Sequence, residues 1–338
     1  MNRSDSRYTK FALCREMLET VGVIKGFDPA VTSGVAKDIA AAGRLFCTGE
    51  GSSRIFPAKN AMRKSLTWGL PLQIATDGSR QAAGYNLKDF AVFCASNSGR
   101  TKEVVLLAKM LKAQGNKNRF CLTANEKTLL EQECTQSFVL RCGGEDAVAA
   151  TKSVAEQALF YESVLWHIGR RDTAAELAAL PAKVDTALTM AVPAAVVEAA
   201  TKARTIYFAG YNDGVAEELT LKTNEITRRK SDFLEGTYAV HGIEEVMSKE
   251  DVVFVVDPIG EEIQKFTDVL VKGVGCTVVA IADRDTPFTT IRVPSAGTLT
   301  QYVYLAAGWN LLVEIGLALG INLDKPERAR KIGNEMAG

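Results

Sequence analysis

The chain has 338 residues, enough for about two domains of ordinary size. Apolar residues make up 47% and charged residues 24%, a balance that excludes a disordered chain. The 40 basic and 40 acidic side chains cancel, which argues against a nucleic-acid binder built on clustered Lys and Arg but leaves room for one small anion site.

The N-terminal stretch MNRSDSRYTKF has no apolar signal-peptide core, and the first 40 or so residues carry helix-like periodicity broken at Gly26 and Pro29. Short apolar runs then predict strands near Leu45–Thr48, Leu72–Ala75, Ala91–Ala95, Phe120–Thr123 and Phe138–Arg141. Helical patterns separate them, among them Lys102 to Gln114 with Gly115 as the stop signal. A long helix is expected from Thr151 to His167. An Ala-rich segment, Arg170 to Val192 with Pro181 inside it, reads as the joint between two halves.

The second half repeats the order. Runs at Thr205–Ala209, Val252–Val256, Thr277–Ala282 and Thr290–Val293 follow those at Leu45, Ala91, Phe120 and Phe138 at an offset of about 150 to 160 residues. A terminal helix near Gln301 to Leu319 matches the one at Thr151. Its apolar stretch is interrupted by Asn310 and Glu314, so it reads as buried rather than membrane-spanning. The expectation is a duplicated α/β domain with parallel sheets, divided as 1–185 and 186–338.

The seven cysteines, Cys14, Cys47, Cys94, Cys121, Cys134, Cys142 and Cys276, show no CxxC or CxxH spacing. An odd count without a framework points to a reducing compartment, and cytoplasm is the expected location. No His, Cys or Asp cluster suggests a metal, and no cofactor is expected.

The segment Ala91-Val-Phe-Cys-Ala-Ser-Asn-Ser-Gly-Arg-Thr-Lys-Glu103 carries most information. A strand ends in a tight polar turn and a helix begins at once, and the free N–H groups of a helix start favour an anion. Ser96, Asn97, Ser98 and Thr101 add side-chain donors, more than capping requires, and Gly99 allows close backbone approach. Thr48-Gly-Glu-Gly-Ser-Ser-Arg54 is a second polar loop at the carboxyl end of the same sheet. Dinucleotide binding is the minority reading there, because Gly49 and Gly51 begin a GxGxxG that position 54, an Arg, does not complete.

Together these segments resemble the sugar isomerase (SIS) family. SNSGRT matches its S-x-S-G-x-T signature, Gly51-Ser52-Ser53 resembles the preceding G-[ST]-S loop, and Val148-Ala-Ala-Thr151-Lys resembles the V-A-[SA]-T-K stretch. The resemblance extends over nearly the whole chain and is strongest to the isomerase part of glucosamine-6-phosphate synthase and related stand-alone isomerases and deglycases. It implies two tandem SIS domains, each a flavodoxin-like three-layer α/β/α sandwich with a parallel sheet. It implies a sugar phosphate held by Ser53, Ser96, Asn97, Ser98 and Thr101, with Gly51, Ser52, Val148 and Ala150 around the sugar. It also implies a homodimer with the active site near the subunit interface.

The resemblance supplies catalytic residues as well. Leu221-Lys-Thr-Asn-Glu225-Ile-Thr resembles the helix bearing the family's glutamate, and Tyr238-Ala-Val-His241-Gly resembles the H-G turn. His241 follows Glu225 by 16 residues, the family spacing, in a chain with only two histidines. Asp324-Lys-Pro326-Glu-Arg-Ala-Arg-Lys331 resembles the D-x-P-R-x-L-x-K tail and implies Lys331 as the catalytic lysine. The residue types suit a carbonyl shift between C1 and C2: histidine for ring opening, glutamate to carry the proton, lysine for the enediolate or a Schiff base. His167, at the end of an apolar helix pattern, is given no function.

Arg100 replaces the glutamate of glucosamine-6-phosphate synthase and adds a cation beside the cradle. HGIEEV departs from the usual H-G-P. The second half's counterparts, Gly210-Tyr-Asn-Asp-Gly214 and Asp257-Pro-Ile-Gly260, contain no Ser or Thr, so one cradle per chain is expected. With no glutaminase segment ahead of the pair, three activities stay open. They are an aldose–ketose isomerase, a deglycase or deaminase cleaving a C–N bond, and a sugar-phosphate sensor without turnover.

Overall fold

The computed structural model describes residues 1–328 and 335–336. They form two compact units, each built on a parallel five-stranded sheet. The first sheet contains β1 (Arg44–Gly49), β2 (Gln73–Gly78), β3 (Ala91–Ala95), β4 (Arg119–Thr123) and β5 (Gln136–Val139) in the order β2-β1-β3-β4-β5. The second contains β6 (Ile206–Gly210), β7 (Ser231–Glu235), β8 (Val252–Val256), β9 (Thr277–Ala282) and β10 (Thr289–Arg292) in the order β10-β9-β8-β6-β7. Read from its β7 edge, the second sheet has the same 2-1-3-4-5 order as the first, the order of flavodoxin-like sheets.

The central strands follow directly from their residues. AVFCA, RFCLT, IYFAG and VVFVV are buried at every position, as strands covered on both faces must be. In the first unit, Val104, Val105, Leu107, Ala108 and Leu111 of the helix Lys102–Ala113 pack onto Phe46, Val92, Cys94 and Cys121. Gly115, at φ +76°, ends that helix where the sequence placed its stop. The long helix Lys152–Gly169 is buried along nearly all its length. It brings Glu162 to Lys64 (2.5 Å) and Asn60 (3.0 Å), so this buried carboxylate meets both a cation and an amide.

The unit with the second sheet also includes Met1–Lys25, Asp146–Ala149 and residues 175–328, whereas Gly26–Glu145 and Ala150–Ala174 belong with the first sheet. The N-terminal helix Ala12–Lys25 was expected with the first half. It groups with the second instead, because Asp324 accepts from Ala12 N and Leu13 N at its start and Glu314 accepts from Arg7 and Tyr8. The expected joint is helical, Ala174–Thr189 with Pro181 inside it.

Among the described residues no single helix is long and apolar enough to cross a membrane. The terminal helix Thr300–Ala318 is almost wholly buried, with Asn310 bonded to the carbonyls of Ala187 and Met190.

Candidate active site

Strand order fixes where the two polar loops emerge. The order reverses between β1 and β3, which lie side by side with Thr48 opposite Cys94, and open α/β sheets bind ligands at the carboxyl ends of strands at such a switch point. The loop after β1 turns through Gly51–Ser53 into the helix Ile55–Thr67, and the loop after β3 runs through residues 96–101 into Lys102–Ala113. A methyl group at Gly49 would stand 2.9 Å from Ser53 Cβ and 3.0 Å from the Ala95 carbonyl, so glycine is what lets these loops pack together.

Within the second loop, Ser96 is buried and its Oγ lies 2.8 Å from Thr101 Oγ1. Asn97, Ser98 and Thr101 are half-buried and Arg100 is exposed. Ser98 Oγ accepts from Arg100 N (3.2 Å), and Gly99 N donates to the Ser96 carbonyl (3.1 Å). Gly99 has φ +64°, and a Cβ there would fall within 2.5 Å of the Thr128 side chain, so the turn requires glycine. The segment after β4 braces it. Ala124 N and Asn125 Nδ2 donate to the Asn97 carbonyl at 3.0 and 2.9 Å, and Leu130 N donates to the Gly99 carbonyl at 3.1 Å. Thr101 pairs antiparallel with Glu335, and Met336 N donates to the Arg100 carbonyl (3.0 Å).

Motif reading missed Glu145. Its carboxylate accepts from Thr151 N (2.7 Å), Ser153 Oγ (2.5 Å) and Asn97 Nδ2 (3.2 Å). It therefore caps the helix that begins at Lys152 and fixes the Asn97 amide with the same group. No local pattern announces it, because its partners lie on both sides at unequal distances in sequence. In the first loop, Ser52 is buried, Ser53 is half-buried and Gly51 is exposed. Gln157 Nε2 holds the Ser53 carbonyl at 2.5 Å, and Glu50 accepts from Ser79 N (2.9 Å); burial pushes the Glu50 carboxyl upward. Ala150 is half-buried in this unit, and Val148 is half-buried within the short stretch that belongs to the other.

Glu225 and His241 lie in the unit with the second sheet. The helix Val215–Lys222 continues as a wider π-type turn, Thr223–Thr227, and Glu225 sits in that turn. Lys222 is buried, and its Nζ lies 2.8 Å from Glu225 Oε2 and 3.4 Å from Glu218 Oε1. Glu225 keeps 27% side-chain exposure and faces a cavity of about 600 Å³ that Arg228, Arg229, Lys230 and Arg328 also line. The carboxylate is thus oriented from below by an ammonium and open to a small polar ligand above.

His241 follows the turn Tyr238–Val240, is exposed, and has Nε2 3.0 Å from Lys265 Nζ. An ammonium only donates, so Nε2 accepts and Nδ1 carries the ring proton. Lys331 lies outside the described residues. His167 Nε2 meets the Pro29 carbonyl at 2.9 Å, a packing role.

The counterpart loops of the second sheet are acidic or filled. Asp213 accepts from Val215 N at the helix start, and Arg284 occupies the end of β8 by donating to Asp257 Oδ1 (2.8 Å) and to the Pro258 carbonyl. Among the described residues no group of His, Cys, Asp and Glu is arranged to hold a metal ion.

With this geometry in place, comparison with known proteins shows what the first unit's core is similar to. The family model described as SIS domain matches residues 38–166, a stretch holding both loops and the first sheet. Residues 38–166 are therefore similar to a SIS domain. Solved structures extend the likeness of the fold beyond it. The C-terminal domain of glucosamine-fructose-6-phosphate aminotransferase from Francisella tularensis is 15% identical with TM-score 0.75, over 96% of this chain and all of that one. Glucosamine-6-phosphate deaminase from Thermotoga maritima is 19% identical with TM-score 0.72, over 96% and 99%. Tagatose-6-phosphate ketose/aldose isomerase from Escherichia coli is 17% identical with TM-score 0.70, over 94% and 95%. No curated protein sequence matches the chain. The chain therefore has the fold of these three proteins, and the segment that matches the SIS model carries both loops described above.

Proposed function

We propose that the protein is a phosphosugar isomerase that moves a carbonyl between C1 and C2 of a sugar phosphate. The observation that carries this reading is the cluster of Ser96, Asn97, Ser98 and Thr101 between a strand end and a helix start, at the switch point of a SIS-domain sheet. A monophosphate dianion there would receive the backbone N–H groups of the helix start and the hydroxyl groups of Ser98 and Thr101, the latter also bonded to Ser96. Ser53, Gly51 and Ser52 supply the neighbouring loop, Arg100 adds a cation, and Val148 and Ala150 flank the sugar.

Glu225 takes the proton from C2 and returns it to C1. Its neighbour Lys222 keeps it oriented, and the cavity in front of it admits the open-chain sugar. His241 opens the ring with the proton on Nδ1, and Lys331 serves the enediolate oxygen. The second sheet is read as a second SIS domain without a phosphate cradle, and the working protein as a cytoplasmic homodimer.

The test is to incubate the chain in D₂O with hexose 6-phosphates and their 2-amino derivatives and to follow proton NMR. Deuterium at C2 with interconversion of aldose and ketose is expected, and Glu225→Gln should abolish it while binding persists. Release of ammonia or an amino acid would move the reading to C–N cleavage. Binding without exchange across the panel would make the protein a sensor.

A further inference from the structure

The cavity in front of Glu225 carries more positive charge than moving a proton requires. It encloses about 600 Å³, and Arg228, Arg229, Lys230 and Arg328 line it together with Glu225 and Glu327. Three consecutive cations reach one cavity because the backbone is irregular there. The π-type turn ends at Thr227, Arg228 takes a left-handed φ of +54°, and β7 begins at Ser231. An arginine keeps that conformation only where its surroundings hold it. Arg228 Nη2 donates to the carbonyls of Asn322 (3.2 Å) and Lys325 (2.5 Å), and Arg229 donates to the Ala203 carbonyl.

The carboxylates in the wall do not balance these cations. Glu225 is already 2.8 Å from the buried Lys222, and Glu327 stands 3.7 Å from Arg228. Lys230 and Arg328 are exposed, and their side chains have no hydrogen-bond or ion-pair partner among the described residues. Four cations against two carboxylates leave two positive charges in excess, which is what a phosphate monoester dianion neutralises. Guanidinium groups suit such a ligand further, because their paired N–H donors match phosphate oxygens.

We propose that this cavity is a second anion site, built from none of the cradle's residues, and that it takes a phosphate-class dianion. Glu225 lines the same cavity, so the carbons it acts on lie beside the bound anion. Taken with Glu225 as the proton carrier, a reading on which this step rests, the substrate is a doubly anionic sugar phosphate. One charged group is the phosphate of the cradle. The other sits on a substituent near the carbons that exchange the proton.

The experiment titrates inorganic phosphate calorimetrically into the full wild-type chain, into Lys230→Met/Arg328→Met and into Ser98→Ala/Thr101→Ala. Both cations of the first variant are exposed, so its unfolding temperature should stay at that of the wild type. Two phosphates per wild-type chain and one in each double variant are expected, with the cavity's affinity falling at least about tenfold when its two cations go. A wild-type chain that binds no phosphate would overturn the cavity site. So would a Lys230→Met/Arg328→Met chain that binds as many as the wild type with equal affinity. A single phosphate lost in Lys230→Met/Arg328→Met but kept in Ser98→Ala/Thr101→Ala would uphold the cavity and remove the cradle from the proposed function. Mannitol 1,6-bisphosphate and mannitol 1-phosphate then test the substrate class. The bisphosphate should bind the wild type at least about tenfold tighter and lose that advantage in Lys230→Met/Arg328→Met. Equal affinities in the wild type would overturn the doubly anionic substrate.

Discussion

Lys222 Nζ lies 2.8 Å from Glu225 Oε2 and 3.4 Å from Glu218 Oε1, so one buried ammonium is shared by two carboxylates a helical turn or two apart. The Lys222 and Glu218 side chains are 1% and 0% exposed, and only Glu225 reaches the cavity. The site is therefore supported from within the helix that carries it. Lys222→Met leaves a buried carboxylate without this cation and should cost about 3 kcal/mol. Urea unfolding checks this, and an unchanged midpoint would show that Lys222 does not support the turn.

Gly99 bears on the cradle in a different way. Its φ of +64° and the Thr128 side chain beneath it both exclude a Cβ. Gly99→Ala should destabilise the protein by about 2–4 kcal/mol. It should also weaken phosphate binding, read by thermal unfolding with and without phosphate. Loss of stability with full phosphate affinity would show that the turn can deform without opening the cradle.

Asp251 gives a pH test remote from the site. Its side chain is buried. Burial pushes the carboxyl up, but Arg204 and the N–H groups of Ser248 and Thr205 outweigh that and hold it below its ordinary 3.8. The folded value lies below the unfolded one, so its contribution is present above pH 3.8 and is lost as pH falls through the lowered value. Asp251→Asn should cost about 2 kcal/mol at neutral pH and give a flatter stability curve below pH 4. Equal acid slopes for both proteins would remove Asp251 from the acid transition.

Much of this was legible before any coordinates. The buried strands at Ala91, Phe120, Val252 and Thr277 and the loop at 96–101 stand out because uniform apolar runs and clustered hydroxyls are local signals. β7 escaped detection: Ser231-Asp-Phe-Leu-Glu235 is a half-exposed edge strand, paired only with β6, and lacks the β-branched pattern of a covered one. The grouping of Met1–Lys25 with the second sheet depends on Asp324 and Glu314, some 300 residues away. Glu225 could be read from its motif. The π-type turn that presents it and the roles of Lys222 and Glu145 could not, because they rest on spacing within the fold.

The account rests on the anion cradle between β3 and the helix that follows it. Calorimetric titration of a sugar phosphate into the wild-type chain and into Ser98→Ala/Thr101→Ala tests it most directly. Each lost hydroxyl donor to a charged oxygen removes about 1.5 kcal/mol, so affinity should fall at least about 100-fold while the unfolding temperature stays near that of the wild type. Equal affinity in the two proteins would place the phosphate elsewhere and contradict the proposed reaction.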